Sequence, residues 1–283
     1  MTDARLVWTT WRRILTSDAL VEAVLHPEDG CPATLEFGAA EQAVLSDYAG
    51  DPVAADITIG MYRRGVIRNA LTALNLVPLT RRLLYTSGLE VSTVAADFVQ
   101  SIHYRDDGPN FWRSASAWVA FLARLPVFSL PCRQDVITLE SAAISLVRRL
   151  GEAPPAVWPE SAALGPAAAR TSDRYVASRA AAVASSEHDL TPWLENPMNF
   201  AVDAELDLLK QHWLIYVPGA EAAHTYAELS ERAARAFTLL STPKTAAELS
   251  PALGGLAVTE VLEVIDSLIE IGTVARVPDP VTA

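Results

Sequence analysis

Cysteine is almost missing from this chain. The 283 residues hold only Cys31 and Cys132, far apart and without C-x-x-C spacing. That usage excludes a disulfide framework and fits a reducing compartment. Glycine is sparse, at 13 residues, and no low-complexity tract interrupts the chain, which leaves a globular protein. No stretch approaches the ~18 uninterrupted apolar residues of a membrane span. No apolar segment of signal-peptide type follows Arg5, Arg12 and Arg13, so the expectation is a cytoplasmic chain without a secretory signal. Positive charge is also short: 22 basic against 34 acidic residues gives a net charge of −12. A polyanion is repelled by that balance overall, although a local patch can still bind one.

The motifs of common catalytic sites are missing too. No G-x-S-x-G, P-loop, G-x-G-x-x-G after a strand, or H-E-x-x-H occurs, and each of these encodes a specific backbone or ligand geometry. The histidines, His26, His103, His188, His212 and His224, are scattered. His26 and Cys31 share an acidic loop with Glu28 and Asp29, but their spacing is not that of a zinc pair. Asp135 and Glu140 lie on one expected helix, but paired carboxylates are common structural features, and the pair is not assigned to acid–base work. The expectation is no catalytic residue, no metal and no cofactor in this chain.

What is present is helical period. Residues 4–25 read as a helix with a break at Ser17-Asp18, followed by a loop over 27–40 and helices over about 38–48 and 57–76. Pro78 ends the last of these, because the residue before proline is pushed out of the α region. Further helical patterns cover 79–84, 91–103, 114–125 and 135–150. Residues 1–150 therefore read as an all-α domain. Residues 151–202 change character, with Pro154, Pro155, Pro159 and Pro166 among alanines. They read as a linker or bridging segment, in which the Ala-rich 174–185 fits helix or strand equally.

From 203 onward the pattern changes again. Trp213-Leu214-Ile215-Tyr216-Val217 is a β-rich run, Pro218-Gly219 a turn signal, and 222–229 a candidate returning strand. Ser230 is a good N-cap, and Thr245-x-x-Glu248 a capping box. A third helix opens at Thr259, and Gly272 stands where a C′ glycine belongs. The order strand–strand–helix–helix–helix–strand describes a small α+β, winged-helix-like module over 203–283. The expected fold class is thus mainly α, an all-α domain followed by this module. On the third helix Val261, Val264, Ile265, Leu268 and Ile271 share one face, extended by Leu262 and Ile269, while Glu260, Glu263, Asp266 and Glu270 occupy the rest. The apolar arc is wider than a surface helix needs, which fits either deep burial or the floor of an apolar groove. A DNA-reading helix exposes Arg, Lys, Asn or Gln, and four carboxylates argue against that use. Arg63, Arg64, Arg68, Arg81 and Arg82 form the concentrated basic cluster, read first as a solvated helix face, then as a protein-docking patch, and last as a nucleic-acid patch.

Several segments resemble one family in order and spacing. Tyr62-Arg63-Arg64, Asn69, Leu74, Pro78 and Arg82-Leu83-Leu84 are similar to the Y-R-x(5)-N…FP…RLLG pattern of a helical domain originally described as DNA-binding. Residues 117–122 resemble its F-P-x-F-L segment, with Trp118-Val119 in place of Phe-Pro; Asp135-Val136 and Leu139-Glu140 resemble its D-[LV]-A-x-L-E. His103 stands at its loop H-P, and Trp213–Tyr216 resembles the strand before its C-terminal module. No glycine follows Leu84, and the middle of the chain matches poorly. Members of this family resemble partner subunits of multinuclear non-haem iron-dependent oxidative enzymes, such as those of methanobactin and 3-thiaglutamate biosynthesis. Their C-terminal module is similar to a recognition element of ribosomally synthesised, post-translationally modified peptides (RiPPs), also seen in the peptide chaperone of pyrroloquinoline quinone biosynthesis.

The resemblance implies a non-catalytic subunit that binds a precursor's leader peptide and docks on an iron-bearing barrel enzyme as a heterodimer. The expected peptide site is the strand carrying His224, Thr225 and Tyr226, with Val261, Val264 and Leu268 as an apolar floor and Leu262 and Ile269 holding the helix to its core. Arg63, Arg64 and Arg68 are the expected enzyme-docking residues, and iron belongs to the partner. The competing readings are a winged-helix transcriptional regulator and a free-standing enzyme.

Overall fold

A computed structural model describes residues 3–29, 37–101, 111–152, 168–196, 206–219 and 223–277. The first elements are α1 (Ala4–Leu15), α2 (Asp18–Leu25), α3 (Ala39–Ala49), α4 (Pro52–Ala73), α5 (Pro78–Thr86), α6 (Val91–Gln100), α7 (Phe111–Leu122) and α8 (Pro131–Gly151). Then follow β1 (Arg174–Ala177), β2 (Ala181–His188), α9 (Thr191–Glu195), β3 (Leu208–Tyr216) and β4 (Thr225–Leu229). The chain closes with α10 (Glu231–Leu239), β5 (Lys244–Thr245), α11 (Ala246–Leu249), α12 (Val258–Glu270) and β6 (Val274–Val277). The fold is mainly α, with two small antiparallel sheets of strand order β5-β1-β6 and β2-β3-β4 among the described residues.

Short-range chemistry sets many of these boundaries. Ser17 breaks α1 from α2 by accepting the Leu20 N–H at 3.4 Å as an N-cap. Pro52, Pro78 and Pro131 each open a helix, where a missing N–H costs nothing. Pro78 therefore both stops the preceding helical run and starts α5.

The described residues of Met1–Asn75 and Gly88–Phe121 form one compact unit. Its first core gathers Trp11, Ile14, Leu20, Val24, Ala55 and Ile59 from α1, α2 and α4. Farther along, Trp118 is fully buried, stacks on Phe98 with ring centroids 3.9 Å apart, and donates its indole N–H to the Ala70 carbonyl at 2.8 Å. That bond satisfies the one polar group such a ring would otherwise bury at a cost.

The second unit comprises the described residues of Leu76–Ser87 and Leu122–Ala283. It includes α5 and α8, and it takes β1 and β2 from the stretch read as bridging. Strand β2 is poor in strand-forming residues, yet it pairs with β3 from Ala181↔Tyr216 to His188↔Leu208. Helix α8 packs on β2 and β3 and is tied to both ends of β2. Asp135 accepts the Glu187 and His188 N–H groups at 2.9 and 3.0 Å and meets the His188 Nδ1 at 2.7 Å. Arg149 donates to the Arg179 and Ala181 carbonyls at 3.0 and 3.1 Å. The lengths agree: Asp135 to Arg149 spans roughly 21 Å of helix, and Ala181 to His188 roughly 23 Å of strand. The two elements run antiparallel, in register.

Beyond β4, Ser230 caps α10 by accepting the Ala233 N–H at 3.2 Å. Thr245 and Glu248 close a reciprocal capping box at 3.2 and 2.7 Å. Gly272, at φ 82°, ends α12, where the Thr273 N–H returns to the Leu268 carbonyl at 3.0 Å. Leu214, Leu229, Ala233, Phe237, Val261, Ile265 and Leu268 meet in the core of this part.

Candidate peptide-binding site

Strand β4 pairs with β3 through Tyr216↔Thr225, Ile215↔Tyr226 and on to His212↔Leu229. Among the described residues nothing pairs with its other side. Period-two alternation sends Leu229 and Ala227 into the α10–α12 core, while Tyr226 and exposed Glu228 face the opposite way.

Tyr226 is not free to greet a ligand. Its hydroxyl meets the His224 Nε2 at 3.1 Å, with the two rings edge to face and centroids 5.4 Å apart. Burial drives the Tyr226 pKa well above its ordinary value, and the negative charge of Glu140 raises it further. Burial also lowers the pKa of His224, so the neutral imidazole is favoured. Glu140 itself is fully buried. It accepts the Leu79 N–H at 2.8 Å and the Thr80 N–H at 2.6 Å, the free donors of the first turn of α5. Burial pushes its pKa up to about 7, although the hydrogen bonds from Thr80 and Leu79 pull the other way. The His224–Tyr226 pair is thus partly buried behind the β4 edge, while Glu140 joins α8 to the first turn of α5. Asp135 and Glu140, the two carboxylates weighed for acid–base work, are both committed to backbone N–H groups.

The expected floor of the groove is corrected. Val261 and Leu268 have no exposure at all and belong to the unit's own core with Ile265. Val264, Leu262, Ile269 and Ile271 are the partly covered residues on its margin. The wide apolar arc of α12 is filled from both flanks by its own chain: α10, α11 and β6 all pack against it. Helical angle alone does not distinguish depth. Glu263 and Glu270 are exposed, and Glu260 caps α12 by accepting the Ala257 N–H at 2.9 Å.

In the other unit, Arg63 is half-buried and ion-paired with Asp18. Arg64 and Arg68 are exposed on α4. The expected docking set therefore divides into one residue serving the fold and two facing solvent. His26 lies in the exposed loop within 3.7 Å of Glu22 and of Glu28; Cys31 and His103 fall outside the described residues. No group of three or more metal-ligating side chains comes together among the described residues, and no described helix is long and apolar enough to cross a membrane. Sequence reasoning passed over a hollow between α1 and α4, lined by Trp8, Arg12, Tyr62, Val66 and Asn69 and holding about 510 Å³. Tyr62 and Asn69 were the available signal, since both stand in the quoted Y-R-x(5)-N pattern. Compared with protein-family models and with curated proteins, the chain matches none.

Proposed function

We propose that this chain is a non-catalytic subunit that holds the leader of a ribosomally made precursor peptide and presents it to a separate iron-dependent oxidative barrel enzyme. The observation that carries the reading is that β4, among the described residues, is paired on one side alone, at the end of a β2-β3-β4 meander that leads into α10, α11 and α12. That arrangement supports a module of winged-helix, RiPP-recognition-element type. A leader adds to β4 as a further strand: main-chain hydrogen bonds supply affinity, and pockets for alternate side chains supply specificity. Ala227 would meet an apolar side chain of the leader, and Glu228, exposed on β4, favours a basic residue in it. The His224–Tyr226 contact holds the side chains behind the strand in place, so less ordering entropy is lost on binding. Holding the leader raises the effective concentration of the core peptide at the enzyme. The exposed carboxylates of α12 speak against a DNA-reading role.

The test uses the full chain and the short peptides encoded beside its gene. One such peptide binds, and a proline scan weakens it at alternate positions, since proline removes a ladder donor. Failure of every neighbouring peptide to bind, or a scan without alternation, overturns the reading.

A further inference from the structure

Strand β4 carries one charged side chain. Its five residues are Thr225, Tyr226, Ala227, Glu228 and Leu229, and Glu228 is exposed. Glutamate is depleted in strands, and the fold offers this one little in return. Glu228 stands across from Trp213 on β3, which is buried and uncharged. Among the described residues its carboxylate makes one polar contact, with the Gln211 side-chain Nε2 at 3.5 Å. That nitrogen lies nearer to Thr191 Oγ1 at 2.9 Å and to Asp189 Oδ1 at 3.0 Å, and an amide nitrogen has only two hydrogens to give. Glu228 is left with the weakest share of Gln211.

Alternation gives this charge an address. A residue added directly across from Glu228 puts its side chain on the same face, with the two Cβ atoms about 5 Å apart. The neighbours of that residue then stand across from Ala227 and Leu229. Their side chains point to the other face, where Leu229 belongs to the α10–α12 core and Ala227 packs against it. These three positions are consecutive whether the added strand runs parallel or antiparallel to β4.

We propose that the β4 edge selects a strand of pattern apolar–basic–apolar: a lysine or arginine across from Glu228, with apolar residues across from Ala227 and Leu229. This rests on the leader reading and adds a register to it, namely which position carries the charge and what stands on either side. Opposite charges across a strand pair stabilise it and like charges weaken it, so a peptide with Asp or Glu at that position is disfavoured. A carboxylate on an edge strand has a second use, keeping two copies of the strand from pairing. A lysine serves that use equally well, so the sign of the charge separates the two roles.

The experiment measures fluorescence anisotropy of three labelled, blocked peptides with the full chain, Ser-Thr-Val-X-Val-Thr-Ser with X as Lys, Gln or Glu. The lysine peptide is expected to bind tightest and the glutamate peptide weakest, each step about two- to fivefold. Added salt is expected to shrink that spread. In Glu228→Lys the order is expected to reverse, and in Glu228→Gln to flatten, with the circular dichroism spectrum unchanged in both. Equal affinity of the three peptides for the wild-type chain overturns the inference and leaves the leader reading standing, since a strand still adds. An order that survives Glu228→Lys also overturns it, because the selecting charge then lies elsewhere. If none of the three binds, the inference falls, and the proline scan of the encoded peptides decides the leader reading by itself.

Discussion

Helices α4 and α12 use their apolar faces in opposite ways. On α12, Val261, Ile265 and Leu268 are wholly buried and Leu262, Val264, Ile269 and Ile271 close the margin. On α4, the buried side is made largely of small residues, Ala55, Ala70 and Ala73 with Ile59, while Val53, Ile57 and Met61 stand in water at 73%, 69% and 54% exposure. Small residues let neighbouring helices approach closely and leave the larger side chains outside. An exposed apolar stripe is the kind of surface that binds a partner; an arc closed by its own chain marks a core. The helix with the wider apolar arc in sequence is thus the one that holds the fold together, and the proposed contacts with other chains are left to α4 and to the edge of β4.

The comparison breaks most visibly under charge insertion. Leu268→Asp buries a carboxylate with no partner and is expected to unfold the α10–α12 core, at a cost of about 4 kcal/mol or more. The same change at Ile57 stays within about 0.5 kcal/mol. Urea unfolding of the two variants side by side measures this. Equal losses would mean that α4 is as deeply committed as α12.

The second effect is a pH dependence. The Glu140 carboxyl is raised from 4.5 to about 7 by burial. In this range the folded chain holds a proton that the unfolded chain has released. The stability linked to this group is therefore fully present below about 4.5 and lost as pH rises through about 7, amounting to about 3 kcal/mol. His224, lowered by burial, works the other way: its contribution is present above the ordinary histidine value and lost on acidification. Glu140→Gln removes the first effect and leaves the second, so the difference between wild-type and variant urea midpoints is expected to grow between pH 7 and 4.5. A difference independent of pH would show that Glu140 ionises as it does in water.

Much of the fold was legible because it rests on local chemistry. Ser17, Ser230, Gly272 and the Thr245–Glu248 box announce helix ends through hydrogen bonds spanning a few residues. The Ala-rich β2 was not legible. It is a strand because β3 pairs with it and α8 pins its ends through Asp135 and Arg149, contacts that no local period encodes. The hold of Glu140 on the first turn of α5 was hidden for the same reason. Depth on α12 was hidden because a helical wheel gives angle and not burial.

Two smaller effects sharpen the contrast between fold and surface. Ser230→Ala removes the cap of α10 and is expected to cost about 1 kcal/mol of stability, read as a lowered urea midpoint. Arg64→Glu with Arg68→Glu is expected to leave stability within about 0.5 kcal/mol while slowing association with the proposed partner enzyme and altering its salt dependence. Association unchanged by the double reversal would remove α4 from the enzyme-docking surface.

Hydrogen exchange on the full chain, with and without a bound precursor peptide, tests the central claim most directly. An added strand is predicted to protect alternate amides of Thr225–Leu229 and to leave those of Val258–Glu270 unchanged. Protection confined to α12, with β4 exchanging as before, would contradict it.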